Sequence, residues 1–281
     1  MISYIKNHVI PGSLNKPILI DVAYKKNQQA KKILIFSHGF KGFKDWGAFN
    51  KIAKYFAKND FVFIKFNFSY NGTSLENTED FVDLKAFGNN NFSIELDDLK
   101  CVLDWVHDNN IINDELDYEC INLFGHSRGG GISLLKSFED NRISKVISWA
   151  SPADFISKLP KGEKLDTWKK SNVAYVYNAR TNQNMPMYYQ FYENCIINKN
   201  RIDIRSAVSN LNIPILIVHG EIDPTVPITD AYKIKSWNKL ADLHIIKNAD
   251  HVMNVAHPFL LSEFPKELKE ALDATLFFLK N

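Results

Sequence analysis

Strand-length apolar runs alternate with helical patterns along most of this chain, and that alternation constrains the fold more than any other feature. Residues 32–37 carry a continuous apolar run, Ile33 to Phe36, as expected of a strand buried on both faces of a sheet. Residues 45–59 follow with Phe49, Ile52, Ala53 and Phe56 on one helical face. Residues 61–68 are β-branched and aromatic with strand alternation. Residues 93–109 turn Ile94, Leu96, Leu99, Val102, Leu103 and Val106 inward, with Ser93 as the expected N-cap. Segments 121–124, 145–149, 213–218 and 243–246 read as further strands, and 129–138, 228–239 and 258–279 as helices. Repeated strand–helix units predict an α/β fold, a mostly parallel central sheet with helices on both faces.

Two stretches interrupt the pattern. Before about residue 30, Val9-Ile10 and residues 18–22 are separated by Pro11-Gly12 and Asn15-Lys16-Pro17, which predicts an antiparallel hairpin edging the sheet. Residues 152–207 postpone the next strand far beyond an ordinary connection, so they are expected to form a cap or lid. The expected organisation is a core domain of 1–151 and 208–281 with the 152–207 insertion.

Composition removes several classes of function. The net charge is +2 and the lysines are scattered, so nothing marks a nucleic-acid partner. No apolar run approaches the roughly 18 residues of a membrane span. Residues 1–6 contain no long apolar region, so no signal peptide is expected. Cys101, Cys120 and Cys195 are odd in number and lack metal-ligand spacing; reduced thiols in a cytoplasmic protein are the expectation. Neither a metal nor a cofactor is implied.

The chemistry lies in Gly125-His126-Ser127-Arg128-Gly129, a G-x-S-x-G pentapeptide. A strand pattern precedes it and a helix pattern follows, the context of a nucleophile elbow. A serine hydroxyl is a weak nucleophile unless a base lies within hydrogen-bond reach and an acid orients that base. Strand 213–218 ends in His219-Gly220-Glu221-Ile222-Asp223-Pro224, and strand 243–246 is followed by Asp250-His251. Both loops fall where open α/β sheets bind ligands. Ser127, Asp223 and His251 therefore occur in the order Ser…Asp…His. Glu221, Asp154 and Asp250 are competing acids, and His257 and His244 competing bases. His38, His126 and His219 are read as packing or hydrogen-bonding residues supporting the elbow.

On these motifs, together with Ser37-His38-Gly39-Phe40 and residues 219–227, the chain resembles an α/β-hydrolase-fold serine hydrolase from about Lys31 onward. Within that superfamily it is similar to the dienelactone-hydrolase, feruloyl-esterase and prolyl-oligopeptidase-like branch. The resemblance implies Ser127 as nucleophile, His251 as general base and acid, and Asp223 as orienting acid. It further implies an oxyanion hole from the backbone N–H groups of Phe40 and Arg128. The Gly-rich HGGG form of that loop is absent, which argues against an HGGG-type lipase.

The Arg128 side chain has two readings: a bidentate grip on a substrate carboxylate, or an ion pair tying the elbow helix to a nearby loop. Lys41, Lys44, Arg180, Arg201 and Arg205 could enrich the cleft in positive charge, with most of them expected to be solvated. Tyr188, Met187 and Trp168 are candidates for lining a substrate pocket, with cap packing as the alternative. The expected activity is cleavage of a small-molecule carboxylic ester. An amidase or peptidase acting on small substrates, or a binding protein on a hydrolase scaffold, are the rival readings. Oligomeric state is not legible.

Overall fold

The computed structural model describes residues 1–108 and 111–281. In chain order the elements are β1 (Ile2–Pro11), β2 (Pro17–Lys25), β3 (Lys31–Ser37), α1 (Phe49–Lys58), β4 (Val62–Asn67), α2 (Leu84–Asn89), α3 (Phe92–Asp108), β5 (Leu116–His126), α4 (Arg128–Glu139) and β6 (Ile143–Trp149). They continue with α5 (Glu163–Ser171), β7 (Val173–Asn178), β8 (Gln183–Tyr188), α6 (Gln190–Ile197), α7 (Ile204–Asn210), β9 (Ile215–Gly220), α8 (Ile228–Trp237), β10 (Ala241–Ile246) and α9 (Lys266–Lys280).

Among the described residues, the main sheet runs β1-β2-β4-β3-β5-β6-β9-β10. The β1–β2 hairpin and the β2–β4 pairing are antiparallel, and the remaining neighbours are parallel. This is the mostly parallel sheet with an N-terminal antiparallel hairpin expected from the pattern. Alternate residues of each strand feed opposite cores. Ile33 and Ile35 pack with Leu96, Leu99 and Ile132 of α3 and α4, whereas Leu34 and Phe36 pack with Ile52 and Phe56 of α1 and Leu272 of α9. Full burial of one such side chain contributes about 1.5–3 kcal/mol, so the two-faced apolar runs commit these segments to a central sheet.

The order 4-3-5 makes β3 a switch point, where successive connections leave toward opposite sides. Ser37 pairs with Gly125, so the loops after β3 and β5 emerge side by side. Across the sheet His126 pairs with Trp149, Trp149 with Val218, and Gly220 with Ile246. The ends of β5, β9 and β10 therefore deliver Ser127, Asp223 and His251 to one edge.

Several helix starts differ from expectation, each for a local reason. The helix expected over 45–59 begins at Phe49, because residues 43–47 are committed elsewhere. Lys44 is buried with Asp21, Asp45 and Lys65 in a square of two cations and two anions, its Nζ 2.9 Å from Asp21. Lys44 is thus not solvated, and the network anchors the loop that follows β3. The helix expected over 258–279 begins at Lys266; Pro265 has no N–H to donate and holds Phe264 out of helical geometry. Ser93 is not an N-cap. α3 starts at Phe92, Asn91 Oδ1 accepts the Ile94 N–H at 3.0 Å, and the Ser93 hydroxyl meets Asn194 Oδ1 instead. The expected end of that helix, Asn109, lies outside the described residues.

Residues 152–207 contain α5, the antiparallel β7–β8 hairpin, α6 and the start of α7. α7 packs against α4 and α8, while β8 packs on α2. The hairpin is tied to the loops below it: Lys41 Nζ donates to the Tyr177 carbonyl, Arg180 to that of Glu79, and Gln183 to that of Phe81. Among the described residues no helix is long and apolar enough to cross a membrane. Cys195 is buried, and Cys101 and Cys120 are half-buried free thiols.

Candidate active site

The turn after β5 places Ser127 at φ 57° and ψ −124°, a strained conformation for a residue with a side chain. Glycine is required on either side. A Cβ on Gly125 would lie 2.1 Å from the Gly129 carbonyl oxygen, and one on Gly129 would lie 2.2 Å from that of Ser37. The Ser127 N–H donates to the Trp149 carbonyl at 2.8 Å, locking the turn to β6.

Ser127 Oγ lies 3.0 Å from His251 Nε2, and His251 Nδ1 lies 2.7 Å from Asp223 Oδ2. The structure thus brings together the three residues singled out from the sequence. Asp223 Oδ1 accepts the N–H groups of Thr225 and Val226 at 2.7 and 2.9 Å. Burial alone would raise the Asp223 carboxyl. Hydrogen bonds from His219, His251 and the Val226 N–H more than offset it, holding the group well below the usual carboxylate range. An ionised Asp223 keeps the His251 proton on Nδ1 and leaves Nε2 free to accept from Ser127.

The supporting histidines have separate jobs. His126 donates from Nε2 to the His251 carbonyl at 2.8 Å, fixing the backbone that carries the imidazole. His219 is fully buried; its Nε2 donates to the Val226 carbonyl at 2.9 Å and lies 3.4 Å from Asp223 Oδ2. His38 donates from Nδ1 to the Gly39 carbonyl at 2.9 Å and accepts the Phe68 N–H at Nε2. The competing residues serve elsewhere. Asp154 and Asp250 cap turns, Glu221 accepts the Asn248 N–H, His257 accepts the Gly47 N–H, and His244 pairs with Glu270.

Burial pushes His38 down to about 4 and His126 down to about 3. An unfolded histidine takes up its proton near 6.5 while these folded ones stay neutral. Their stabilising contribution is therefore present above pH 6.5 and drains as pH falls toward 4, by about 1.4 kcal/mol per pH unit for each. Asp98 opposes this: burial raises it to about 6, so it gains relative stability as pH falls from 6. Urea denaturation between pH 6.5 and 4 checks the account. His38→Asn should show a shallower loss of stability with falling pH than the unsubstituted protein, by about one proton; equal slopes would contradict a buried neutral His38.

Arg128 follows Ser127 in the chain and Phe40 follows Gly39, and the backbone N–H groups of Arg128 and Phe40 find no acceptor among the described residues. A Cβ on Gly39 would lie 3.0 Å from Ser127 Cβ, so this loop passes directly against the serine. The Arg128 side chain forms an ion pair, Nη1 to Glu95 Oε1 at 3.3 Å, with a partner on α3 rather than on a loop.

The three pocket candidates separate. Trp168 is buried within the 152–207 segment, donating to the Met187 carbonyl at 2.8 Å and packing with Tyr189, Phe191 and Tyr192. Met187 is half-buried against the larger core. Tyr188 lies over α2, where a Cβ on Gly88 would come within 2.7 Å of its ring. None of the three hydrogen-bonds Ser127, Asp223 or His251. A further apolar cluster, Phe43, Phe81, Phe87 and Met185, has Phe40 against its edge, one residue from Gly39, which lies against Ser127. The density of phenylalanines between residues 81 and 92 was the available signal. Glu95 was legible only as one more residue of α3.

A family model described as BD-FAE matches residues 20–238. A curated protein of Bacillus subtilis (strain 168) described as uncharacterized peptidase YtmA is 25% identical over 162 residues, covering 57% of this chain. The match spans about half of that relative, 55% of its length. Among solved structures, Est1E from Butyrivibrio proteoclasticus with bound ferulic acid superposes with a TM-score of 0.70 at 15% identity, over 96% of this chain and 97% of that one. Dienelactone hydrolase from Anabaena variabilis ATCC 29413 gives 0.62 at 13% identity, over 99% and 97%. The α/β hydrolase GrgF from Penicillium sp. sh18 gives 0.71 at 17% identity, over 100% and 98%. At these identities the likeness is one of fold.

Proposed function

This chain belongs to the BD-FAE family within the α/β-hydrolases, and from that premise we propose that it cleaves carboxylic esters through an acyl-enzyme on Ser127. The observation that carries the reading is the unbroken chain from Ser127 Oγ through His251 to Asp223 at 3.0 and 2.7 Å. His251 takes the Ser127 proton as Oγ attacks the acyl carbon. The N–H groups of Phe40 and Arg128 receive the negative charge on the carbonyl oxygen, each such donor contributing about 3–4 kcal/mol at the transition state. His251 passes its proton to the leaving alkoxide. Water then attacks the acyl-enzyme with His251 again as base, releasing the acid and restoring Ser127.

Residues 152–207 act in this proposal as the cap that selects the acyl group, and the aromatic side chains beside Phe40 favour an apolar or aromatic one. One observation favours a second reading: the curated relative in Bacillus subtilis is described as a peptidase, and the same machinery hydrolyses amides. A panel of p-nitrophenyl esters of increasing acyl length, with an aryl ester and aminoacyl-anilides, separates the two. Ester kcat/KM should exceed that of the anilides; faster anilide turnover would favour the amidase reading.

A further inference from the structure

An oxyanion hole built from two chain segments is only as good as their spacing, since a misplacement of about 1 Å can cost about 100-fold in rate. Here Arg128 opens α4, whereas Phe40 lies in the loop after β3. Within that loop the Gly39 carbonyl, in the same peptide unit as the Phe40 N–H, accepts from His38 Nδ1 at 2.9 Å and from the Gly42 N–H at 3.1 Å, which sets the shape of the turn but not its distance from α4. Further along, Asn71 donates to the Gly42 carbonyl and the Lys44 N–H to Asn67. Gly39 has no side chain to set a distance from Ser127, and Phe40 makes no hydrogen bond among the described residues. On the α4 side the Phe40 ring meets the Arg128 guanidinium, whose Cζ lies 4.0 Å from the ring centre. The same guanidinium lies 5.0 Å from the Phe92 ring and 5.6 Å from Phe191, and its Nη1 reaches Glu95 Oε1. Glu95 is only 3% exposed, and Asn90 Nδ2 donates to the same Oε1 at 2.7 Å. Behind Phe40 stands Phe87, ring centres 5.5 Å apart.

We infer that Arg128 is a positioning residue: its guanidinium, stacked on Phe40 and anchored by Glu95, fixes the distance between the two N–H donors of the oxyanion hole. One residue thereby supplies one donor from its backbone and holds the other through its side chain. The inference rests on the ester-hydrolase reading of Ser127. It makes planarity the working property. A lysine keeps the charge but lacks the flat face and fork that let arginine stack and pair at once.

The test compares Arg128→Met, Arg128→Lys, Phe40→Leu and the Arg128→Met/Phe40→Leu double variant on a p-nitrophenyl ester. Active sites are titrated with a fluorophosphonate taken to completion, so that kcat is expressed per competent Ser127. Each single variant should lose about 10- to 100-fold in kcat with KM within about twofold, and the double variant should lose little more than either single. A boronic acid, which mimics the tetrahedral state, should weaken in parallel with kcat. A purely structural role would lower the titratable fraction or the melting temperature and leave kcat per site intact, and that result overturns the inference. So does wild-type kcat in Arg128→Lys. If Arg128→Met fails to fold, Phe40→Leu, at a half-exposed position, decides on the same criteria. A wild-type protein that hydrolyses the ester while Ser127 stays unlabelled overturns the ester-hydrolase reading itself, and this inference with it.

Discussion

Ser127→Ala should lower ester kcat by at least about 10⁴-fold while leaving the melting temperature within a few degrees of the unsubstituted protein. The hydroxyl is the part of Ser127 that the proposed chemistry uses, and among the described residues its side-chain hydrogen bond is to His251. The strained turn is set by the backbone and by Gly125 and Gly129, none of which the substitution touches. Loss of activity therefore separates from loss of fold. Residual turnover over water would come from the two N–H donors and substrate binding alone. Steady-state kinetics beside a thermal melt make the check, and wild-type turnover in Ser127→Ala would remove Ser127 from the reaction.

Asp223→Asn should cost about 10⁴-fold in kcat with little change in KM. Asp223 Oδ1 is occupied by the Thr225 and Val226 N–H groups, so only Oδ2 faces His251 Nδ1. Those two backbone donors require an acceptor, so the amide of the variant would keep its oxygen there and turn its NH₂ toward His251. Nδ1 would then have to accept, the imidazole proton would move to Nε2, and the base would present a donor to the Ser127 hydroxyl. Buried His219, whose Nε2 also faces Oδ2, would meet the same NH₂ and add to the mismatch. Activity close to wild type in this variant would transfer the orienting role to another acid; Glu221 lies two residues from Asp223, and Asp250 adjoins His251.

The sheet was readable from the sequence because parallel strands buried on both faces carry unbroken apolar runs, as residues 33–36 do. The positions of Ser127, Asp223 and His251 were readable for a related reason: in such a sheet the strand ends are also the site, so a residue just past a strand is placed by that strand. What resisted reading was decided by contacts remote in sequence. The start of α1 was displaced by a charge network that joins Lys44 and Asp45 to Asp21 and Lys65. Trp168 and Tyr188 are both aromatic and lie in one insertion, yet one is buried within it and the other leans on α2. Their composition is the same in either place. Arg128 was recognisable as a backbone donor from its position after the serine, whereas Glu95, Phe92 and Phe191, which surround its side chain, come from α3 and α6.

The most direct measurement is the mass of the protein after reaction with a fluorophosphonate, followed by peptide mapping. A single phosphonyl adduct should form, carried by the peptide containing Ser127, absent from Ser127→Ala and strongly slowed in Asp223→Asn. An unmodified protein, or an adduct on any other residue, would contradict a nucleophilic Ser127.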